Sequence, residues 1–306
     1  MQEESFEVPY TQEGERLDKV LSEIYPDFSR SFFQKLIKNK QIQVNGAVQK
    51  ASYPVHTEDL IRVTIPDAVE TTIEPENIPL DILYEDDDVL IVNKPKMVVH
   101  PSAGHYSGTL VNAIMYHCKD SLSGINGQIR PGIVHRIDMD TTGSLIVCKN
   151  DESHVNIAEQ IKEHTVNRIY VGIVCGNVTE DDGTIEGAIG RHPVDRKKMA
   201  VNEKNGKPAI THYKVLERFG NYTYMQFQLE TGRTHQIRVH MASIGHPLLG
   251  DTLYSSGRSP FKHLQGQTLH AKTIGFVHPK SGEYMEFSAP LPEYFDNLLK
   301  LLKSRS

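Results

Sequence analysis

Residues 132 to 150 read GIVHRIDMDTTGSLIVCKN and set Arg136, Asp138 and Asp140 between two apolar runs that look like strands. A carboxylate in such a loop can attack an electrophilic carbon, take a proton, or stabilise positive charge developing on a sugar. A second polar stretch, LETGRTHQIRVH at 229 to 240, runs strand, Gly-Arg turn, helix, and puts Arg233 at the corner. From there a guanidinium can reach a carboxylate in a fixed bidentate geometry. Taken as residues alone, both stretches also fit a plainer reading, an Asx turn with a local Arg136–Asp138 pair in one and surface charge in the other. A third cluster, GRHPVDRKKMA, carries Arg191, Arg196, Lys197 and Lys198 and reads as a loop that meets phosphates. No metal site is expected. His235 and His240 stand five apart, off the i, i+4 face of a metalloprotease helix, and the acidic run Glu85 to Asp88 falls where a hairpin turn belongs.

The elements that must hold these side chains are mostly strands. ILYEDDDVLIVNKP reads as two strands around an Asp-rich turn, NRIYVGIVCG alternates as one strand, and HYKVLERF with YTYMQFQLE forms a hairpin across Gly220-Asn221. LHAKTIGFVHP and GEYMEFSAP form another across Ser281-Gly282. Helices are sparser: AEQIKEH, THQIRVHMASIG and PEYFDNLLKLLKS. Most connections are too short for crossover helices, which predicts an α+β domain on a largely antiparallel mixed sheet. Neither GxGxxG nor GxxxxGK[ST] occurs, so dinucleotide and P-loop folds are disfavoured.

A smaller module precedes this domain. ERLDKVLSEIY places Leu17, Val20, Leu21 and Ile24 on one helical face, and SRSFFQKLIKNKQ has Ser31 and Gln34 spaced as a capping box before a second apolar stripe. IQVNGAVQ carries Asn45-Gly46, the signal for a type I′ hairpin, and DLIRVTI adds a strand. Between Phe28 and Thr57 stand Arg30, Lys35, Lys38, Lys40 and Lys50 without one acidic residue, an electrostatic footprint for phosphates on a chain whose net charge is −6. Segment 66–80, rich in proline and acid and free of basic residues, reads as a linker. The expected organisation is thus a tail at 1–14, a small basic α/β module at 15–65, the linker at 66–80, and the main domain at 81–306.

The pattern RLDKVL followed by SRSFFQKLIKNKQIQVNG resembles the small RNA-binding module named after ribosomal protein S4. VHRIDMDTTG, TGRTHQIRVH, NKP at 93 to 95 and NRIYVGIVCG together resemble the pseudouridine synthases of the RluA type, and with VHPSAGH and GRHPVDRKKMA most resemble the RluD branch. The first resemblance implies RNA contact by Arg30, Ser31, Lys35 and Lys38. The second implies that Asp138 is the essential catalytic group, with Arg136 displacing the target base, Tyr170 lying against the uracil ring, and Arg233 pairing with the aspartate. His135, Arg196, Lys197 and Lys198 are further substrate-binding candidates. Arg168 and Ile137 stand where that family often has lysine and leucine. The activity implied is isomerisation of uridines in large-subunit ribosomal RNA or its assembly intermediates, without cofactor.

Composition agrees with a globular protein: 306 residues, 38% hydrophobic and 24% charged. MQEESFEVPY has neither a basic start nor an apolar run, and Cys118, Cys148 and Cys175 lack metal-ligand spacing, so a cytoplasmic monomer with free thiols and no membrane contact is expected. Two other classes stay open at this level: a non-catalytic RNA-binding assembly factor, and a metal-dependent RNA hydrolase.

Overall fold

The structure, a computed structural model, describes residues 2–26, 28, 30–65, 73–101, 105–119, 121–125, 130–195, 197–255, 260–261, 264 and 266–305. It divides into two compact units, Met1–Glu70 and Thr71–Ser306.

In the small unit, β1 (Gln2–Glu7), α1 (Leu17–Ile24), α2 (Arg30–Lys38), β2 (Ile42–Val44) and β3 (Leu60–Ile65) follow in order. The sheet runs β1-β3-β2, antiparallel throughout. The expected tail at 1–14 therefore contains a strand. QEESFE is too acidic to look like a half-buried strand, yet it pairs along all of β3 at the sheet edge, where charged side chains are tolerated. Leu17, Val20 and Leu21 of α1 pack with Phe33, Leu36 and Ile37 of α2 on Ile42, Val44, Ile61 and Val63. Ile24, expected on the same face, is exposed at the end of α1. The Asn45-Gly46 turn forms with φ of 50° and 77°, as type I′ requires. Its outgoing arm makes only the bridge from Ala47 to Val44, and β2 takes β3 as its partner instead.

The large unit holds β4 (Ile82–Glu85), β5 (Val89–Lys94), α3 (Leu110–Cys118), β6 (Thr142–Cys148), α4 (Asp151–Lys162), β7 (Asn167–Cys175), β8 (Asp182–Glu186), β9 (Ile189–Arg191), β10 (Met199–Val201), β11 (Ile210–Arg218), β12 (Tyr222–Leu229), α5 (Gln236–Ser243), β13 (Leu269–Val277), β14 (Tyr284–Ser288) and α6 (Glu293–Lys303). Its main sheet runs β4-β5-β6-β13-β7-β12-β11-β8, with β14 beside β13, and β9 and β10 form a separate ribbon. All pairs are antiparallel except β6 with β13, which matches the mixed, largely antiparallel sheet expected. Helix α3 was not foreseen. It starts on a capping box in which Thr109 and Asn112 satisfy each other's backbone N–H.

β5 and β6 are covered on both faces, which explains their unbroken apolar sequence. Leu90, Val92, Leu145 and Val147 pack with Leu110, Val111 and Ile114 of α3. Val89, Ile91, Ile146 and Cys148 pack with Ile157 of α4 and with Ile274 and Phe276 of β13. Each such aliphatic side chain contributes on the order of 2 kcal/mol of burial. Where β6 meets β13 in parallel, Thr142 and Gly143 lie against His270 and Ala271. Gly143 has φ 111°, and a Cβ there would collide with the Ala271 carbonyl, so only glycine lets the loop before β6 come down on β13.

Candidate active site

Loop 135–141 leads directly into β6. The strand expected to end at Val134 is reduced to one bridge between Ile133 and Val147. Three features hold the loop from below. Lys94, at the end of β5 and fully buried, donates from Nζ to the carbonyls of Pro95 (2.8 Å), Met97 (2.8 Å) and Met139 (3.1 Å), which uses all three of its hydrogens. Burial pulls this ammonium down to about 7, against the attraction of Asp138 and Asp140. The Thr141 N–H donates to the Asp138 carbonyl, and Thr141 Oγ1 accepts from Gln267 Nε2. Thr142 Oγ1 lies 2.8 Å from His270 Nδ1, and Ser144 Oγ donates to the Ala271 carbonyl.

Above this base lies a cleft of about 560 Å³, lined among others by Arg136, Asp138, Arg168, Tyr170, Arg233, His235 and Arg238. Its volume suits a nucleoside-sized ligand. Asp138 Oδ2 accepts from Arg238 Nη1 at 2.8 Å. Arg238 is in turn gripped bidentately by Asp251, Nε to Oδ2 at 2.7 Å and Nη2 to Oδ1 at 3.0 Å. Burial opposes charge on this guanidinium, but the two carboxylates outweigh it and hold its pKa above the ordinary range. Tyr170, on β7, has its hydroxyl pushed up by burial and by Asp138, with Arg168 pulling the other way.

The partner of Asp138 is therefore Arg238, not Arg233. Arg233 lines the cleft, but its Nε donates to the Pro208 carbonyl at 3.0 Å. The cause is local. His235 takes a left-handed backbone, φ 58° and ψ 22°, so α5 begins only at Gln236 and the helix, not the turn, aims an arginine at the loop. Gln236 fixes this corner: its Oε1 accepts from the Arg233 N–H and Thr231 Oγ1, and its Nε2 donates to the Ile210 carbonyl and Thr211 Oγ1. Asp251 could have been found only as an acid able to anchor a helix arginine from beyond its C-terminus.

Arg136 is exposed and makes no pair with Asp138; its Nη1 lies 3.3 Å from His100 Nε2. His100 Nδ1 faces the Pro101 carbonyl at 3.1 Å and so carries the ring hydrogen, leaving Nε2 to accept from Arg136. His135 is committed elsewhere. Its Nε2 accepts the Ile146 N–H, and burial, then Arg168, lowers its pKa to about 3, so it is a neutral wall of the cleft rather than a cation for substrate. Asp140 packs its carboxylate against Gly266, where a Cβ would strike it, in keeping with a turn-forming role.

Lys197 and Lys198 lie in the turn of the β9–β10 ribbon, while Arg196 falls outside the described residues. The Met199 N–H, next after Lys198, donates to Tyr254 Oη at 2.9 Å, and Tyr254 Oη lies 2.8 Å from His235 Nδ1, so the ribbon adjoins the cleft. In the small unit, Lys35 and Lys38 are exposed on α2. Arg30 is half engaged, its Nη2 donating to Asp18 at 3.0 Å. Gln34 also turns to Asp18 (2.6 Å) instead of closing a capping box; the Ser31 side chain is outside the described set.

Among the described residues one trio has metal-type atoms close together, Asp86, Asp88 and His278, all within 4.8 Å. Most of its lone pairs are already used, Asp88 Oδ2 facing only Lys280 Nζ at 4.0 Å. Asp86 accepts from the Asp88 and Val89 N–H groups and from Tyr84, and Asp88 from Asn150 and Ser153. His278 Nδ1 accepts the Ser281 N–H, which leaves the ring hydrogen on Nε2, facing Asp86 at 2.9 Å. The turn is a structural knot.

A family model described as RNA pseudouridylate synthase matches residues 88–243, and one described as S4 domain matches residues 15–61. An uncharacterized RNA pseudouridine synthase of Synechocystis is 50% identical over 296 residues, covering 95% of this chain and 90% of that protein. The ribosomal large subunit pseudouridine synthase D of Pasteurella multocida is 43% identical over 313 residues, covering 98% of this chain and 95% of that one. The solved structure of human RNA pseudouridylate synthase domain containing 1 superposes with a TM-score of 0.57 at 26% identity, covering 79% of this chain and 98% of that one.

Proposed function

The chain belongs to the RNA pseudouridylate synthase family and is an isomerase, and on that premise we propose that it converts uridines of large-subunit ribosomal RNA to pseudouridine with Asp138 as its catalytic carboxylate. The observation that carries this reading is the chain Asp138–Arg238–Asp251 at the floor of a cleft bordered by Tyr170.

The reaction breaks the bond from C1′ to uracil N1, turns the base and joins C1′ to C5, with no net gain or loss of atoms. Both routes the chemistry offers Asp138, attack on C1′ and removal of the 2′-hydrogen, need an ionised carboxylate beside the sugar. Arg238 aims the carboxylate and shares its own charge with Asp251, so the group of three keeps one net negative charge to set against an oxocarbenium-like sugar. Arg136, exposed at the rim, takes the place of the extracted base, offsetting an unstacking cost of a few kcal/mol. Tyr170 lies against the uracil and takes part in the late proton transfer at C5. Lys35, Lys38 and Arg30 on the S4 domain, with Lys197 and Lys198 on the ribbon, contact phosphates. Large-subunit RNA as substrate follows from the Pasteurella relative's name, and the chain is proposed to act on it as a cytoplasmic monomer. No helix of the described residues is long and apolar enough to cross a membrane.

The test is tritium release from ribosomal RNA carrying uridine labelled at C5, incubated with the protein and no added metal. Release is expected from the native chain and none from Asp138→Asn. No release by the native chain, or undiminished release by the variant, overturns the proposal.

A further inference from the structure

His235 has no part in the scheme above, yet its backbone is held where a non-glycine residue is uncommon, at φ 58° and ψ 22°. Strain of this kind persists only where the surroundings impose it. Here the imposed position brings His235 Nε2 to 3.9 Å from Asp138 Oδ1, the oxygen that Arg238 does not bind.

The tautomer follows from the neighbours. Tyr254 Oη accepts the Met199 N–H and lies 2.8 Å from His235 Nδ1, which leaves its own hydrogen available to Nδ1. The neutral ring then carries its hydrogen on Nε2. The opposite tautomer would turn a ring lone pair toward the Asp138 carboxylate, which is repulsive. Burial lowers the pKa of the ring, with Arg238 and Arg136 adding to that effect and Asp138 and Asp251 opposing it.

An N–H donor and a carboxylate oxygen 3.9 Å apart are too distant to bond each other, but both can reach one oxygen placed about 2.8 Å from each. That oxygen must accept from Nε2–H and donate to the carboxylate, as a hydroxyl or a water does. A uracil carbonyl there would set its lone pairs against those of Asp138. With a uridine in the cleft, the hydroxyl beside the reacting C1′ is the ribose 2′-OH. Resting on the proposed role of Asp138, we propose that His235 and Asp138 together hold the 2′-hydroxyl of the target uridine, which makes His235 the residue that selects ribose over deoxyribose at that position. Hydrogen bonds to the corresponding hydroxyl strengthen in the transition states of glycoside hydrolysis, and the same charge development occurs here.

The test uses the full chain and an RNA oligonucleotide copied from a large-subunit site that it modifies, made with uridine or 2′-deoxyuridine at that site, and reads single-turnover rate constants at saturating enzyme. The native chain is expected to be about 10²-fold slower on the deoxy substrate, and His235→Asn about 10²-fold slower on the ribo substrate. Asn is at ease in the left-handed region and keeps a partner for Tyr254, but it lacks the distal donor. On the deoxy substrate His235→Asn should lose no more than about threefold beyond the native chain, because the contact is already gone. His235→Gln, which reaches further, should recover about tenfold over the Asn variant on the ribo substrate alone. Tyr254→Phe, which frees the tautomer without touching His235, should slow the ribo reaction and spare the deoxy one, and it decides the matter should the His235 variants not fold. Losses that multiply between variant and deoxy substrate, or a native chain indifferent to the 2′-OH, overturn the inference while leaving the isomerase reading in place. A native chain that modifies no large-subunit RNA overturns both.

Discussion

Asp18 in the small unit and Asp138 in the large one are both carboxylates bound to arginine, and they differ in how completely. Asp18 has no exposed side-chain surface; Arg16, Arg30 and Gln34 occupy both its oxygens at 2.6–3.0 Å. Asp138 is 18% exposed and gives only Oδ2 to Arg238, leaving Oδ1 toward the cleft. The charge balance is opposite as well. Two arginines around one aspartate leave the Asp18 cluster at +1, whereas two aspartates around Arg238 leave the other at −1. The first sign suits phosphate and the second suits a sugar acquiring positive charge. A saturated carboxylate builds structure, and a half-satisfied one is free to react.

Exchanging the proposed catalytic carboxylate for its neutral isostere should break the comparison most sharply. Asp138→Asn is expected to lose more than ~10⁴ in single-turnover rate, about 5.5 kcal/mol of barrier, with little change in melting temperature. Next comes the partner. Arg238→Lys keeps the charge but not the fork that serves Asp251 and Asp138 together, and should cost about 10²-fold in rate. Arg233→Ala should cost less, since that guanidinium is spent on the Pro208 carbonyl. A larger loss at Arg233 would return the pairing role to it.

Two arginines five residues apart in TGRTHQIRVH show where the sequence stops being readable. Asp138, Arg136 and Tyr170, which the family resemblance singles out, all line the cleft, and the hairpins of the large unit are legible from alternation and turn chemistry. Choosing Arg238 over Arg233 needed the left-handed φ of His235 and the anchoring acid Asp251, and neither is a local property of the stretch. The same holds for Lys94. A lysine at a strand end reads as solvated, and only the three carbonyls gathered around Nζ from Pro95, Met97 and Met139 explain its complete burial. Strand β1 was missed because its pairing, not its composition, makes it a strand.

Acid should separate the two regions more gently. His270, fully buried under loop 135–141, has its pKa lowered from 6.5 to about 4 by burial, with Lys272 adding to that. Between those values the unfolded chain binds a proton that the folded one refuses, so the stability from this group is complete above 6.5 and is lost as pH falls toward 4. The full loss is about 3 kcal/mol. In the small unit, burial works against the Asp18 charge but is outweighed by hydrogen bonds from Arg16, Arg30 and Gln34, which hold its carboxyl well below the usual range. That contribution therefore survives until the pH falls below about 4. Peptide-resolved hydrogen exchange at pH 7 and pH 5, corrected for intrinsic rates, should show β6 and β13 losing protection while α1 and α2 keep theirs. Equal loss in both units would remove the distinction.

The smallest effect falls on the binding side. Lys35 and Lys38 project from α2 and are exposed, so alanine at either should leave the rate at saturating RNA unchanged. What changes is affinity: each lost phosphate contact releases fewer counterions, lowering the slope of log K against log salt by about 0.7 to 0.9 and weakening binding a few-fold at moderate salt. Filter-binding titrations across a salt series measure that slope directly. Arg30→Ala should behave differently from both, because its guanidinium also serves Asp18, so a drop in α1–α2 stability should accompany the change in slope. A lysine variant that lowered the saturated rate instead would mean that the small unit takes part in positioning the uridine, and the division between a saturated, binding region and an open, reactive one would have to be redrawn.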